Sequence, residues 1–208
     1  PELLLRVYKE GIFPWPENDS LKLWFCPEVR CVMRPADIKI SKSLKKSMRQ
    51  NNYLLKIDSD FEQVLEKCAE LFSERNATWI TDELKSAFIS LHEMGYAHSF
   101  EVWDNNELIG GLYGLSLGTQ FSGESMFHRV SDASKMAFVF LSRVLENLNF
   151  DFVDCQVPTS HLMSLGACTM EKSDFLSWHK EAVHNSGRIG KWNDLCQSLN
   201  LARSIDLI

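Results

Sequence analysis

Phe121-Ser122-Gly123-Glu124-Ser125-Met126-Phe127, answered further along the chain by Asp154-Cys155-Gln156, is the pair of segments on which the reading of the fold turns. Each is a polar cluster set against apolar neighbours. Between them, a run beginning at Ser131 spaces Met136, Phe138, Val139, Val144 and Leu148 as a packed helix would. Residues 150–157 then alternate, which sends Asp154 and Gln156 to one face of a strand and Cys155 to the other. Strand, helix and returning strand would bring the two clusters together. Carboxylates and an amide meeting in an apolar cleft can hold and deprotonate an amine.

Working outward, residues 97–103 and 108–117 read as strands joined by a turn at Asp104-Asn105-Asn106, and Gly118-Thr119 leads on into the Phe121 segment. An antiparallel meander is expected there. Upstream, Ser59 and Glu62 form a capping box for a helix through Phe61, Val64, Leu65, Cys68 and Phe72. Thr78-Trp79-Ile80-Thr81 leads into another, with Leu84, Ala87, Phe88 and Leu91 on one side and Gly95 at its end. Nearer the start, Leu3, Leu4, Leu5 and Val7 predict a short helix that Gly11 closes. Pro14 and Pro16 stiffen the segment after it and hold Phe13 and Trp15, as a plug over the core or as a stacking platform. Short strands follow at 21–25, 29–33 and 53–57, the second stopped by Arg34-Pro35. Phe175 and Trp178 mark a last helix, and the tail containing Trp192 has no clear pattern. The fold class is α+β.

With 208 residues, 45% of them hydrophobic, the chain can bury a core as one domain, or as one domain with a small appendage. Six cysteines without a Cys-x-x-Cys pair argue against a disulfide framework or a zinc site and for a reducing compartment. No apolar run reaches the roughly 18 residues of a spanning helix, and no basic-then-apolar leader is present, so no membrane association is expected. The net charge is −6, yet residues 38–57 carry six Lys or Arg and no Asp or Glu. Within them Lys42, Lys45, Lys46 and Arg49 share one helical face. Such a face either docks an anionic partner or is simply solvated.

Several familiar chemistries are absent. His92-Glu93 is followed by His98, six positions on; a zinc-protease helix needs four, and on a continuous helix these imidazoles would diverge. Gly123-Glu124-Ser125-Met126-Phe127 lacks the second glycine of a nucleophile elbow. Gly110-Gly111 and Gly114 lack the spacing and the lysine of a phosphate loop. Cys155, with His161 near in sequence, leaves a cysteine nucleophile open, although the alternation points Cys155 away. No metal or cofactor is expected.

Gly11-Ile12-Phe13-Pro14-Trp15, Thr78-Trp79-Ile80-Thr81, Gly123-Glu124-Ser125-Met126-Phe127, Asp154-Cys155-Gln156 and Ser164-Leu165-Gly166-Ala167 together resemble the bacterial leucyl/phenylalanyl-tRNA–protein transferases, in order and approximate spacing, over residues 1 to 180. The glycine-rich segment that precedes the first helix in that family is missing, which implies a chain shortened at its N-terminus; the tail beyond Ser186 departs from the family pattern. The resemblance implies a small N-terminal domain at 1–28, and an acetyltransferase-like (GNAT-like) domain at 29–208 with a mainly antiparallel sheet flanked by helices. It also implies a cytoplasmic, monomeric enzyme that moves Leu, Phe or Met from aminoacyl-tRNA to proteins beginning with Lys or Arg and so marks them for degradation.

Carried over residue by residue, Trp15 and Trp79 would hold the terminal adenosine of the donor. Phe121, Ser125, Met126, Leu112, Phe138, Leu141 and Val153 would line the aminoacyl pocket. Asp154 would polarise Gln156, whose carbonyl oxygen accepts from the attacking amine, and Glu124 would contact the donor's α-amino group. The anion facing Lys42, Lys45, Lys46 and Arg49 would then be tRNA. Glu124 and Asp154 could instead only satisfy buried backbone donors. Two other readings of the chain remain: an acyltransferase of similar fold that uses an acyl-thioester or a peptidoglycan precursor, and a catalytically inert tRNA-binding module.

Overall fold

Three long strands between residues 97 and 128 form the middle of a mainly antiparallel sheet flanked by helices, seven-stranded among the described residues. The computed structural model describes residues 1–15, 23–73 and 80–208. In chain order the elements are α1 (Glu2–Lys9), β1 (Phe13–Pro14), β2 (Trp24–Phe25), β3 (Val29–Met33), α2 (Lys42–Asn51), β4 (Leu54–Ile57), α3 (Phe61–Ser73) and α4 (Asp82–Glu93). The second half continues with β5 (Ala97–Asp104), β6 (Glu107–Leu117), β7 (Gln120–His128), α5 (Ala133–Asn147), β8 (Phe152–Gln156), α6 (Ser160–Ser164), β9 (Cys168–Glu171), α7 (Lys172–His184) and α8 (Leu195–Ser198). The strand order is β4-β5-β6-β7-β8-β3-β9, and β1 pairs separately with β2. Every pair in the large sheet is antiparallel except β7 with β8. A parallel pair needs a crossover, and α5 supplies it.

The crossover helix is central to the core. Eleven of its 15 residues are buried, with Met136, Val139, Phe140 and Leu141 fully enclosed. It packs with Leu44 and Met48 of α2 against Phe100 and Val102 of β5. A second cluster joins Leu4 and Tyr8 of α1 to Val64 and Leu65 of α3, Phe88 and Leu91 of α4, and Tyr113 and Leu115 of β6. Leu112 faces the first cluster and Tyr113 the second, as the alternation of a strand covered on both faces requires. Truncating a fully buried aromatic such as Phe140 to Ala in such a core costs about 3–5 kcal/mol.

Local chemistry explains most element ends. Ser41 accepts from the Leu44 N–H at 3.1 Å to start α2, and Thr81 accepts from Leu84 to start α4. Gly11 ends α1 at φ +73°, where a Cβ would sit 2.8 Å from Leu176 of α7, so glycine suits both the turn and the close approach.

Four expectations are corrected. Asp60 rather than Ser59 caps α3, its Oδ1 accepting from the Gln63 N–H at 3.1 Å; the Ser59 N–H donates instead to Glu101. The helix expected from Ser131 begins at Ala133, after Asp132 turns into a left-handed conformation. The tail is not patternless: Trp192 is fully buried and stacks on His98 at 4.0 Å between centroids. Because α4 stops at Glu93, His92 and His98 do not diverge on one helix. They converge on Asp58, with His98 Nδ1 at 2.8 Å and His92 Nδ1 at 3.9 Å from its oxygens. That cluster is knit into the fold, since Asp58 also accepts from the Ser99 N–H and His92 Nδ1 bonds the Ala97 carbonyl. The strand start at Leu21 and the aromatic Trp79 lie outside the described residues. Among the described residues no helix is long and apolar enough to cross a membrane.

Candidate active site

The parallel strands β7 and β8 run together for three rows, Gln120 opposite Phe152, Phe121 opposite Val153 and Ser122 opposite Asp154. Past that point each carries a bulge. On β7, Gly123 faces Gly114 and Ser125 faces Tyr113, which leaves Glu124 as the extra residue. On β8, Asp154 faces Val32 and Gln156 faces Cys31, which leaves Cys155 as the extra residue. A bulge re-aims the side chains around it, and here two occur at the same end of one strand pair. Gly114 permits the first, because a Cβ there would lie 2.2 Å from the Ser122 carbonyl oxygen.

Gln156 adopts φ +62°, a left-handed conformation that costs a non-glycine residue about 1–2 kcal/mol. Two hydrogen bonds hold it there. Its backbone N–H donates to Asp154 Oδ1 at 3.0 Å, and its side-chain Nε2 donates to Glu124 Oε1 at 2.9 Å, closing the gap between the strands. The expected partnership is therefore rearranged. Asp154 reaches the Gln156 backbone, whereas the Gln156 side chain bonds Glu124.

Asp154 is committed to Arg30 of β3, which donates Nε at 2.8 Å and Nη2 at 2.6 Å to its two oxygens. Both side chains are buried. The guanidinium lies between the rings of Phe13 at 4.6 Å and Phe175 at 4.4 Å, so the proline-stiffened segment and α7 together seal the ion pair. Phe13 is thus a plug over the core. Arg30 was missed in the sequence, although one arginine in the short strand Val-Arg-Cys-Val-Met was its signal. A buried bidentate pair fixes its carboxylate in one geometry, and through Asp154 it fixes Gln156.

Glu124 is housed differently. Burial, reinforced by the nearby Asp154 charge, pushes its carboxyl up to about 8, against the opposing pull of Tyr8, Arg30 and Gln156. The Tyr8 hydroxyl is the hydrogen-bonding neighbour that most opposes this rise, whereas the Tyr113 hydroxyl is buried without a partner. Tyr8 arrives from α1, whose end is tied to α7 by His179 Nε2 against the Tyr8 carbonyl at 2.9 Å. Nothing in the sequence linked Tyr8 to Glu124.

Glu124, Gln156 and Tyr113 open onto a cavity of about 270 Å³. Of the residues expected to line it, Trp15, Leu112, Ser125, Met126, Phe138 and Leu141 do so, beside Glu124 and Gln156. Phe121 and Val153 do not: both are fully buried in the core behind it, Phe121 against Phe100. Asp154 also stands behind the wall. Cys155 lines the cavity despite the predicted alternation, because the bulge breaks that alternation. Thr159, His161 and Leu162 of the α6 segment complete the far side and were not foreseen. Burial, with Lys135 and His128 close by, lowers the basicity of His161. On α2, Lys42, Lys46 and Arg49 are exposed, Lys45 is half-buried, and none lines the cavity.

Residues 1–28 match the family described as leucyl/phenylalanyl-tRNA protein transferase N-terminal domain, and residues 32–180 match leucyl/phenylalanyl-tRNA protein transferase. A protein of Legionella pneumophila (strain Corby) named leucyl/phenylalanyl-tRNA–protein transferase is 48% identical over 193 residues, covering 93% of this chain and 86% of its own. Relatives of the same name from Nitrosospira multiformis and Lawsonia intracellularis are 46% identical (92% and 83% coverage) and 44% identical (85% and 78%). Among solved structures, L-PGS from Bacillus licheniformis aligns with a TM-score of 0.46 at 10% identity over 77% of this chain and 51% of that one, which carries no argument about function. Glu124 and Gln156 sit, with their cavity, in a chain matched along most of its length, and that chain belongs to the leucyl/phenylalanyl-tRNA–protein transferase family.

Proposed function

We propose that the cavity holds the aminoacyl end of the donor tRNA and that Gln156 and Glu124 assemble the reaction at its wall. The chain is an aminoacyltransferase that moves Leu or Phe from tRNA to the N-terminus of a protein. An aminoacyl ester is already activated, so no nucleotide has to be consumed. The acceptor's nitrogen attacks the ester carbonyl, a C–N bond forms, the C–O bond to the ribose breaks, and the amine's proton ends on the ribose oxygen. An α-amine has a pKa near 8, so a neutral nucleophile is cheaply available. Positioning and one proton transfer can then supply much of the rate.

The observation that carries this reading is the 2.9 Å bond from Gln156 Nε2 to Glu124 Oε1 across the gap between β7 and β8. It uses the amide's donor side, and so turns Gln156 Oε1 toward the role of acceptor for the incoming amine's N–H. Asp154, held by Arg30, is a positioning residue that keeps Gln156 in its left-handed turn. Glu124 receives the donor's α-ammonium, which supports rejection of N-acylated donors. Leu112, Met126, Phe138 and Leu141 take the apolar side chain of Leu, Phe or Met. Trp15, 40% exposed at the cavity, offers a face for the terminal adenine. Trp79 is proposed for the same role on the family pattern alone.

The finer expectations belong to the same proposal. The C-terminal domain, residues 29–208, is taken as GNAT-like, with 1–28 as a small N-terminal domain; acceptors begin with Lys or Arg and are tagged for degradation in the cytoplasm; and the enzyme acts as a monomer. The basic face of α2 contacts tRNA phosphates. Single-turnover peptide formation, with enzyme in excess over labelled Leu-tRNA and an acceptor beginning with Arg, tests the core of it. Gln156→Ala is expected to slow the step by about 100-fold while donor affinity stays within a few fold. An unaltered rate would reject the assignment. Donor binding without transfer in the unmodified protein would favour an inert tRNA-binding module instead.

A further inference from the structure

We propose that Cys31 and Cys155 are a reversible thiol pair whose oxidation to a disulfide disables the site between β7 and β8. Cys155 is the extra residue of the β8 bulge, opposite the step from Cys31 to Val32 on β3. In a bulge two residues oppose one on the partner strand, so Cys155 shares with Gln156 the place opposite Cys31, and strand partners about 4.5–5.5 Å apart lie within the Cα span a disulfide accepts. Both side chains belong to one core cluster, with the Cys155 thiol also directed at the Val153 carbonyl. The proximity makes Cys31 more acidic, while Cys155 is held protonated by it and by burial.

Access is one-sided: Cys31 is fully buried, whereas Cys155 lines the cavity. The remaining thiols are placed differently. Cys68 and Cys196 are buried in α3 and α8, Cys26 is half-buried, and Cys168 is exposed on the outer strand β9. A small peroxide entering the cavity is the oxidant. The Cys155 sulfur attacks one peroxide oxygen while its own proton passes to the leaving oxygen; an S–O bond forms, the S–H and O–O bonds break, and water leaves. Cys31 thiolate then attacks that sulfenic sulfur, the S–S bond forms, the S–O bond breaks, and a second water leaves. Two thiols have lost two electrons and two protons to one peroxide.

The consequence for transfer rests on the function proposed above. Cys155 lies between Asp154 and Gln156, so drawing its side chain toward β3 rotates the backbone that holds Gln156 at positive φ and pulls its amide from Glu124. A bond made on one side of the wall is thereby felt in the cavity. A thiol reductant reverses it, because the pair is reached from the same cavity.

The test treats the reduced full-length chain with hydrogen peroxide and reads two quantities, the Cys31–Cys155 peptide link by mass spectrometry and Leu transfer from tRNA. The link is expected to form, transfer to fall by about tenfold or more, and dithiothreitol to restore both. Cys31→Ala is expected to transfer normally and to resist peroxide; Cys31→Ser serves if the alanine variant folds poorly. Loss of activity in Cys31→Ala as fast as in the unmodified chain, a link to Cys168 in its place, or a formed link with unchanged transfer each overturns the proposal. If the reduced chain transfers nothing, the proposed function fails separately. Release of a bound aminoacyl-adenosine analogue on oxidation then decides the thiol pair.

Discussion

Glu101 on β5 and Glu124 on β7 are both buried carboxylates in one sheet, and they are served in opposite ways. Glu101 Oε1 accepts from the Ser59 and Asp60 N–H groups and from the Ser99 hydroxyl, and Oε2 accepts from the Trp103 indole at 2.8 Å. Both its oxygens are bonded, so it splices the start of α3 to the sheet. Glu124 accepts one well-formed bond, from Gln156, and has beyond it a looser approach to the Tyr8 hydroxyl, with the unpartnered Tyr113 hydroxyl close by. Burial raises both carboxyls above their ordinary range. A raised pKa therefore does not separate a structural carboxylate from a functional one. What distinguishes Glu124, proposed above to bind the donor, from the fully bonded Glu101 is its hydrogen bonding.

The contrast is most sharply broken at the support of Glu124's partner. Arg30→Met would leave Asp154 charged and buried without its counter-ion, and about 3–5 kcal/mol of stability should go. Denaturant melts near neutral pH measure it. A loss under about 1 kcal/mol would mean that Asp154 finds water or another donor, and the rigid support of Gln156 would have to be abandoned.

The next effect concerns pH and is read as a slope. Glu124 titrates from 4.5 in an ordinary setting to about 8 in the fold, so the folded chain binds that proton more tightly than the unfolded one. The stability this provides is whole below about pH 4.5 and is lost as pH rises towards 8. Glu124→Gln should flatten the slope in thermal melts across that window. Donor affinity in the unmodified enzyme should in turn peak near pH 8, since below it the carboxyl is neutral and above it the donor's ammonium is lost. A flat affinity profile would remove Glu124 from donor binding.

Glu101→Gln should cost about 1–2 kcal/mol by turning an amide NH₂ toward donors, yet leave the transfer rate of the folded fraction alone. If transfer fell further than the folded fraction did, the two glutamates would not divide into structural and functional. The least effect is expected on α2. Changing Lys42, Lys46 and Arg49 to Ala should weaken whole tRNA donors roughly threefold to tenfold and lower the salt dependence of binding, while sparing an aminoacyl-adenosine analogue. Equal loss with both donors would detach the effect from phosphate contact.

Much of the frame was legible. The period of residues 131–148 announced a core helix, and the alternation on either side announced the strands it joins. The strand–helix–strand unit returns β8 as a parallel neighbour of β7, so the expected meeting of the two polar clusters followed from local pattern and chain connectivity, while the bond between Glu124 and Gln156 did not. Residues such as Met126, Leu112 and Phe138 were placed at the cavity from the family resemblance, which also placed Phe121 and Val153 there; these lie one layer behind. Alternation cannot register such a layer, because it tells which face a side chain takes and not how far the neighbouring strand has splayed.

The amino-acid sequence by itself determined the fold class, the crossover and the family, because periodicity, turn chemistry and motif order are properties of neighbouring residues. Only the tertiary structure decided which atoms face the cavity. Arg30 meets Asp154 across 124 positions, and Tyr8 approaches Glu124 from the first helix. The two bulges at Glu124 and Cys155 arise where β6 and β3 fall out of step with β7 and β8. A bulge depends on the register between two strands, and register is settled by the packing of both faces at once. No single strand carries that information, so the feature that aims Gln156 at Glu124 came into view only when the strands were set side by side.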